Sequence, residues 1–279
     1  MNKRKLVGNL LKSSIRRVSM SWQIYVSICI VILSTIPTYI DNIEWYNLNN
    51  MLAIGANNRF IFSFIVDNHY LPILGPVIAI LPYSCSIFED RKSSYINNIV
   101  IRTSPQLYLL SQISITMLLG GLVFAVPLLI QYACYAAFDR VPSPVILAPF
   151  SMGFFSNVYA VSMCGYILAF IVHCFIYGMV FALFGYSIAI NAKNKLTIFL
   201  IPLAISYTGQ YIYFVVHDQI KRHLSYFLPI NLFEIRQTSC VLDEHIVQFS
   251  ILCIVSIMLI IRGYTKIRNL SNGIIFKTI

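Results

Sequence analysis

Six predominantly apolar runs of 19 to 33 residues, separated by more polar segments, leave this chain few ways to fold. They fall near 21–40, 70–88, 107–131, 158–190, 196–216 and 246–264. A bilayer core about 30 Å thick is crossed by about 20 residues of α-helix, and a helix satisfies its own backbone hydrogen bonds where no water can do so. Each run therefore predicts one membrane-spanning helix. The run at 70–88 is broken by Pro72, Pro76 and Pro82, which predicts a kinked span. The run at 158–190 is long enough to tilt or to extend beyond the bilayer.

Composition points the same way. Only 11% of the 279 residues are charged and 58% are hydrophobic. Soluble domains carry roughly a quarter charged residues, so these charges are too few to coat a water-facing surface. The formal net charge of +10 would raise nucleic acid as a partner in a soluble protein. Here the cations flank apolar runs instead, so no nucleic-acid partner is expected.

The basic residues also orient the chain. With both ends in the cytoplasm, the inner segments hold 15 of the 20 Lys and Arg residues and, as acids, Glu89 and Asp90, for a sum of +13. The outer segments then hold 5 basic and 8 acidic residues, a sum of −3. Positive residues are retained on the cytoplasmic side, so an N-in, C-in topology is expected. The fold class predicted is an all-α integral membrane protein of about six spans. Its expected parts are a cytoplasmic amphipathic helix over 1–20, a transmembrane domain over 21–264 and a basic cytoplasmic tail over 265–279. Within 3–18, Leu6, Val7, Leu10, Leu11, Ile15 and Val18 share one half of the helical wheel, and Lys5, Lys12 and Arg16 cluster opposite. That pattern fits a helix lying in the membrane interface with its cations toward headgroups. The first apolar run lacks a small-residue cleavage pattern, which predicts a retained span rather than a signal peptide.

Catalytic chemistry finds no footing. There is no G-x-x-x-x-G-K-[ST], no H-E-x-x-H and no G-x-S-x-G, and Asp243-Glu244-His245 has zinc-type residues at the wrong spacing. The seven cysteines form no C-x-x-C pair, so no metal, cofactor or redox relay is expected. A channel is disfavoured because no span carries a ring-forming set of charges.

The most informative polar segment runs from Phe88 to Pro105. Glu89, Asp90, Arg91 and Lys92 open it, Ser93 or Ser94 is positioned to cap a short helix, and Tyr95, Ile96, Ile99 and Val100 would share one side of that helix. Ser104-Pro105 is a cap and first-turn pair for the next span. Read plainly, this is a basic loop between two spans. The arrangement also resembles the permease subunits of ABC-2 type transporters. In that family a span ends in an acidic residue and is followed by a short coupling helix, a break at proline and the next span. The amphipathic N-terminal segment, the six spans and the broken outer segment before the last span extend the likeness along nearly the whole chain. Ser93 and Ser94 stand where the family often has a glycine.

The resemblance implies the membrane half of an exporter that moves a hydrophobic or amphipathic substrate, a peptide among them, out of the cytoplasm. It further implies a separate ABC ATPase subunit and a second permease copy or homologue as partners, membrane lipids around them, and residence in a cell membrane. An abundance of Ile, Asn, Ser and Tyr points to the bacterial cytoplasmic membrane. Glu89, Asp90, Arg91, Tyr95 and Arg102 would couple the chain to the ATPase. The alternative is a stand-alone membrane immunity or sensor protein that binds a peptide or toxin without an ATPase.

Other polar residues admit two readings each. His173 lies near the middle of the fourth run. An ionisable group there is a functional candidate, but neutral imidazole also bridges two helices with one donor and one acceptor. Gln112, Gln210 and Tyr211 would line a path or bond to neighbouring helices. Cys174, Gly178, Ala182, Gly185 and Ala189 make a stripe of small residues, which predicts close helix packing within the chain.

Overall fold

The computed structural model describes residues 12–14, 16–17, 21–34, 55–66, 70–93, 95–96, 104–138, 153, 155–215 and 242–271. The described residues contain helices and turns and no strand. The helices are α1 (Trp22–Leu33), α2 (Ala56–Ile61, continued by a π-helical turn over Phe62–Val66), α3 (Tyr70–Ile80), α4 (Ser86–Lys92), α5 (Pro105–Phe138), α6 (Ser156–Val161), α7 (Met163–Ala189), α8 (Lys195–Val215) and α9 (Leu242–Ser271). Within them, Pro105–Ala137, Met163–Ala189 and His245–Ile267 are long and apolar enough to cross a membrane, and Trp22–Leu33 and Lys195–Gly209 are shorter apolar helices. This is the make-up of an all-α membrane protein.

Local sequence explains the boundaries. Pro105 takes the first position of α5, where a missing N–H costs nothing, and Ser104 Oγ accepts from the Leu107 N–H at 3.4 Å. Ser162 caps α7 by accepting from the Gly165 N–H at 3.2 Å. The apolar run at 70–88 divides into α3, a turn over Leu81–Cys85 that contains Pro82, and α4. Pro76 remains inside α3, and Pro127 and Pro202 lie inside α5 and α8. At 1.5 Å per residue, the 34 residues of α5 and the 30 of α9 are longer than a bilayer core of about 30 Å is thick.

Helix α7 is the centre of the bundle. It packs along α5 most extensively and also meets α2, α3, α4, α6, α8 and α9. Its stripe of small residues makes this possible. A Cβ placed on Gly178 would lie 2.2 Å from the Gly120 carbonyl oxygen, and one on Gly120 would lie 2.3 Å from the Ala182 Cβ. The two backbones therefore touch with no side chain between them. Gly185 similarly admits the Ile80 side chain, and Gly75 admits the Tyr177 ring. The close packing expected of the stripe is thus intrachain, against α5 and α3. Phe124 and Tyr177 meet edge to face beside the crossing, with centroids 5.7 Å apart.

The starts of α5 and α8 and the ends of α4, α7 and α9 gather at one end of the bundle, shown by the contacts described next. The described basic residues concentrate there, and this is called the basic end below. Arg102 and residues 97–103 as a whole lie outside the described residues, as do 1–11, most of the predicted outer segments and the tail beyond 271.

Candidate functional site

Three consecutive residues at the basic end each fasten α4 to a different part of the bundle. Glu89 lies in the first turn of α4 and Arg91 and Lys92 in its last, an order that complements the helix dipole. Seven residues are too few to hold a helix alone in water, so α4 depends on what it touches.

Asp90 is 1% exposed. Its Oδ1 accepts from Arg17 Nη1 at 2.5 Å and its Oδ2 from the Tyr108 hydroxyl at 2.6 Å. One carboxylate thereby joins the N-terminal segment, α4 and the first turn of α5. A buried carboxylate is tolerated when it is paired and hydrogen-bonded, and both its oxygens are engaged here. Burial acts to lower the Arg17 pKa, but the hydrogen bond to Asp90 and the Asp90 charge together outweigh it and hold the guanidinium above its ordinary value. Beside this pair, Gln112 Nε2 donates to Ser14 Oγ at 3.4 Å, a second tie between the N-terminal segment and α5.

Glu89 reaches the opposite side. Its Oε1 accepts from Lys195 Nζ at 2.7 Å, at the start of α8, and its Oε2 lies 3.9 Å from Arg17 Nη2. The hydrogen bond to Glu89 raises the Lys195 pKa. Both side chains are over 40% exposed, so the pair contributes position more than stability. Arg91 turns to the end of α7, where Nη1 donates to the Ile190 carbonyl oxygen and lies 3.5 Å from that of Ala189. The last carbonyls of a helix lack partners within it and carry its negative pole, so Arg91 closes α7 from outside. Burial lowers the Arg91 pKa from its ordinary value. Ser93 completes the end of α4, its hydroxyl donating back to the Glu89 carbonyl oxygen at 2.8 Å. The structure therefore uses Ser93 at the close of one helix; Ser94 lies outside the described residues.

The remaining expected site residues are dispersed. Tyr95 is 48% exposed, whereas its neighbour Ile96 is buried against the core at the basic end. Gln112 is buried and takes part in the Ser14 contact. Tyr211 is 64% exposed, and the Gln210 side chain lies outside the described residues. His173 is buried. It meets His245 of α9 edge to face, with centroids 5.4 Å apart, and has Phe249 at 5.8 Å. That ring contact joins α7 and α9. Among the described residues no group of three or more His, Cys, Asp or Glu is placed to hold a metal ion.

Sequence reasoning missed Arg17, Tyr108, Lys195 and His245 as partners. Arg17 and Lys195 counted only toward topology, and nothing in the local pattern around Tyr108 marks its hydroxyl as buried against a carboxylate. Comparison of the chain with family models, curated proteins and solved structures gives no match.

Proposed function

We propose that this chain is the permease subunit of an ABC-2 type exporter, driven by ATP hydrolysis on a separate chain, and that Glu89, Asp90 and Arg91 form its coupling site. The observation that carries the reading is their arrangement. Three adjacent side chains on a seven-residue helix attach to the N-terminal segment, to α5, to the end of α7 and to the start of α8. A partner pressing on the short segment after α4 moves all four together, and rigid-body movement of packed elements is a standard way to transmit a distant event.

In this reading the basic end faces the cytoplasm and six passes are made, by α1, by α3 with α4, and by α5, α7, α8 and α9. A hydrophobic or amphipathic substrate, such as a peptide, leaves through a path completed by a second permease copy or homologue. The chain itself supplies positioning and no chemical step, and ATP cleavage belongs to the partner ATPase.

The test is transport by the reconstituted complex. Glu89→Ala frees Lys195, and Arg91→Ala opens the end of α7. Each is expected to lower ATP-driven transport by about 5- to 150-fold, the usual range of a coupling free energy, while the ATPase stays bound. Unchanged transport in both variants would remove the coupling assignment.

A further inference from the structure

At the basic end the cations outnumber the acids, and the acids are already engaged. Among the described residues the acids are Glu89, Asp90, Asp243 and Glu244. Glu89 and Asp90 are held by Lys195, Arg17 and Tyr108. Asp243 and Glu244 open α9, about 20 residues and so about 30 Å from its basic end. The stretches 1–11, 94–103 and 272–279 contain no Asp or Glu. Lys193, Arg262 and Lys266 are exposed, and among the described residues no ion pair joins them to an acid.

Lys266 lies where α9 crosses the turn between α7 and α8, with Arg262 one helical turn before it and Lys193 on the turn itself. Gly263 abuts the Ile190 side chain, with no room there for a Cβ. Asn191 Nδ2 donates to the Leu259 carbonyl oxygen at 2.9 Å, and Lys266 Nζ donates to Asn191 Oδ1 at 3.4 Å. Lys193 follows two residues later on the same turn. The crossing is therefore fixed by packing and hydrogen bonds, and it holds Lys193 beside the last turns of α9.

The same face of α9 changes character along its length. Ile254, Met258, Arg262 and Lys266 recur every fourth residue, which places them in one row. Ile254 is 52% and Met258 64% exposed, and Ile257 and Ile261 alongside are also exposed. Only 22% of the most apolar stretch of α9 is buried, against 67% for α7. An exposed apolar row thus leads into two cations on α9, with a third on the adjoining turn. That sequence of surfaces matches one ligand, an anionic phospholipid with its acyl chains along Ile254, Ile257, Met258 and Ile261 and its phosphate against Arg262, Lys266 and Lys193. Basic sites between membrane helices on one side of the bilayer hold anionic headgroups on this principle.

We propose that this face of α9 and the α7–α8 turn form a binding site for an anionic phospholipid. The proposal depends on the chain spanning a membrane and is independent of the exporter reading.

The full-length protein, stripped of lipid in mild detergent, is titrated with phosphatidylglycerol and with phosphatidylcholine, and bound lipid is counted by native mass spectrometry. The expected result is one phosphatidylglycerol bound at least about tenfold more tightly than phosphatidylcholine, with the preference lost in the K193Q/R262Q/K266Q variant and kept in K193R/R262K/K266R. Lys266→Gln alone is expected to weaken binding about fivefold, which gives a reading if the triple variant is not recovered. Equal binding of the two lipids overturns the proposal, as does an unchanged preference in the glutamine variants. Displacement of phosphatidylglycerol by inorganic phosphate at equal concentration overturns it too, since the acyl row would then contribute nothing. A shift to a stable dimer blocked by these substitutions would assign the face to a second copy instead.

Discussion

Gly178→Val is expected to abolish accumulation of the folded protein. At this position α7 and α5 touch through their backbones, and even a methyl group on Gly178 would stand 2.2 Å from the Gly120 carbonyl oxygen and 2.9 Å from the Phe124 ring. Neither neighbour is the free end of a flexible chain, so the helices must separate. Separation forfeits contacts along the most extensive helix pair of the bundle, including the edge-to-face packing of Phe124 on Tyr177. Overpacking a well-filled core costs about 1–3 kcal/mol and sometimes more, and a backbone contact at the centre of a bundle belongs at or above the top of that range. Gly165 provides the comparison. A Cβ there meets nothing closer than 3.4 Å, so Gly165→Ala is expected to be neutral or slightly stabilising through helix propensity. Fluorescence-detected size-exclusion of the two variants from membranes checks both. A monodisperse Gly178→Val protein with wild-type thermal stability would contradict the backbone contact.

Asp90→Ala is expected to destabilise the protein by about 2–3 kcal/mol, chiefly by stranding the buried Tyr108 hydroxyl. Leaving a buried donor without its acceptor costs about 1–3 kcal/mol. The Arg17 side chain is 41% exposed and can turn to water, so its share is held to the small value of a solvent-screened pair, about 0.2–1 kcal/mol. Asp90→Asn keeps an acceptor for Tyr108 and gives up only the charge, so its effect should be clearly smaller. Tyr108→Phe removes the other half of the same bond and should lie between the two. Thermal unfolding in mild detergent reports the order. If Asp90→Asn were as damaging as Asp90→Ala, the charge on Arg17 rather than the Tyr108 bond would dominate the site.

The helical architecture was legible because lipid simplifies the code. Long apolar runs, proline breaks and cap residues each act locally, so Pro82 marked a break that became the turn before α4, and Ser104-Pro105 marked the start of α5. The stripe from Cys174 to Ala189 announced close packing, since small residues at every third or fourth position leave a groove on one face of a helix. Its partner was less legible. Gly120 is the residue that meets Gly178, and it lies 58 positions away in the sequence.

The site was only half legible. Glu89, Asp90 and Arg91 stand out because acids are scarce at that end of the chain. Their partners do not, because Arg17 is 73 residues from Asp90 and Lys195 is 106 residues from Glu89. Sequence spacing encodes neighbours on one helix, and these contacts join three separate segments. Tyr95 illustrates the opposite limit. The sequence places it on one helix side with Ile96, yet one is exposed and the other buried, since adjacent residues on a helix point about 100° apart.

The most direct test of the central claim is purification of the tagged protein from its native membrane in mild detergent, with mass spectrometry of whatever accompanies it. The account predicts a stoichiometric ATPase bearing a phosphate-binding G-x-x-x-x-G-K-[ST] loop, which dissociates when residues 89–102 are replaced by a flexible linker. A monodisperse particle free of any ATPase, obtained under conditions that keep other transporter complexes whole, would contradict it and favour a membrane protein that acts alone.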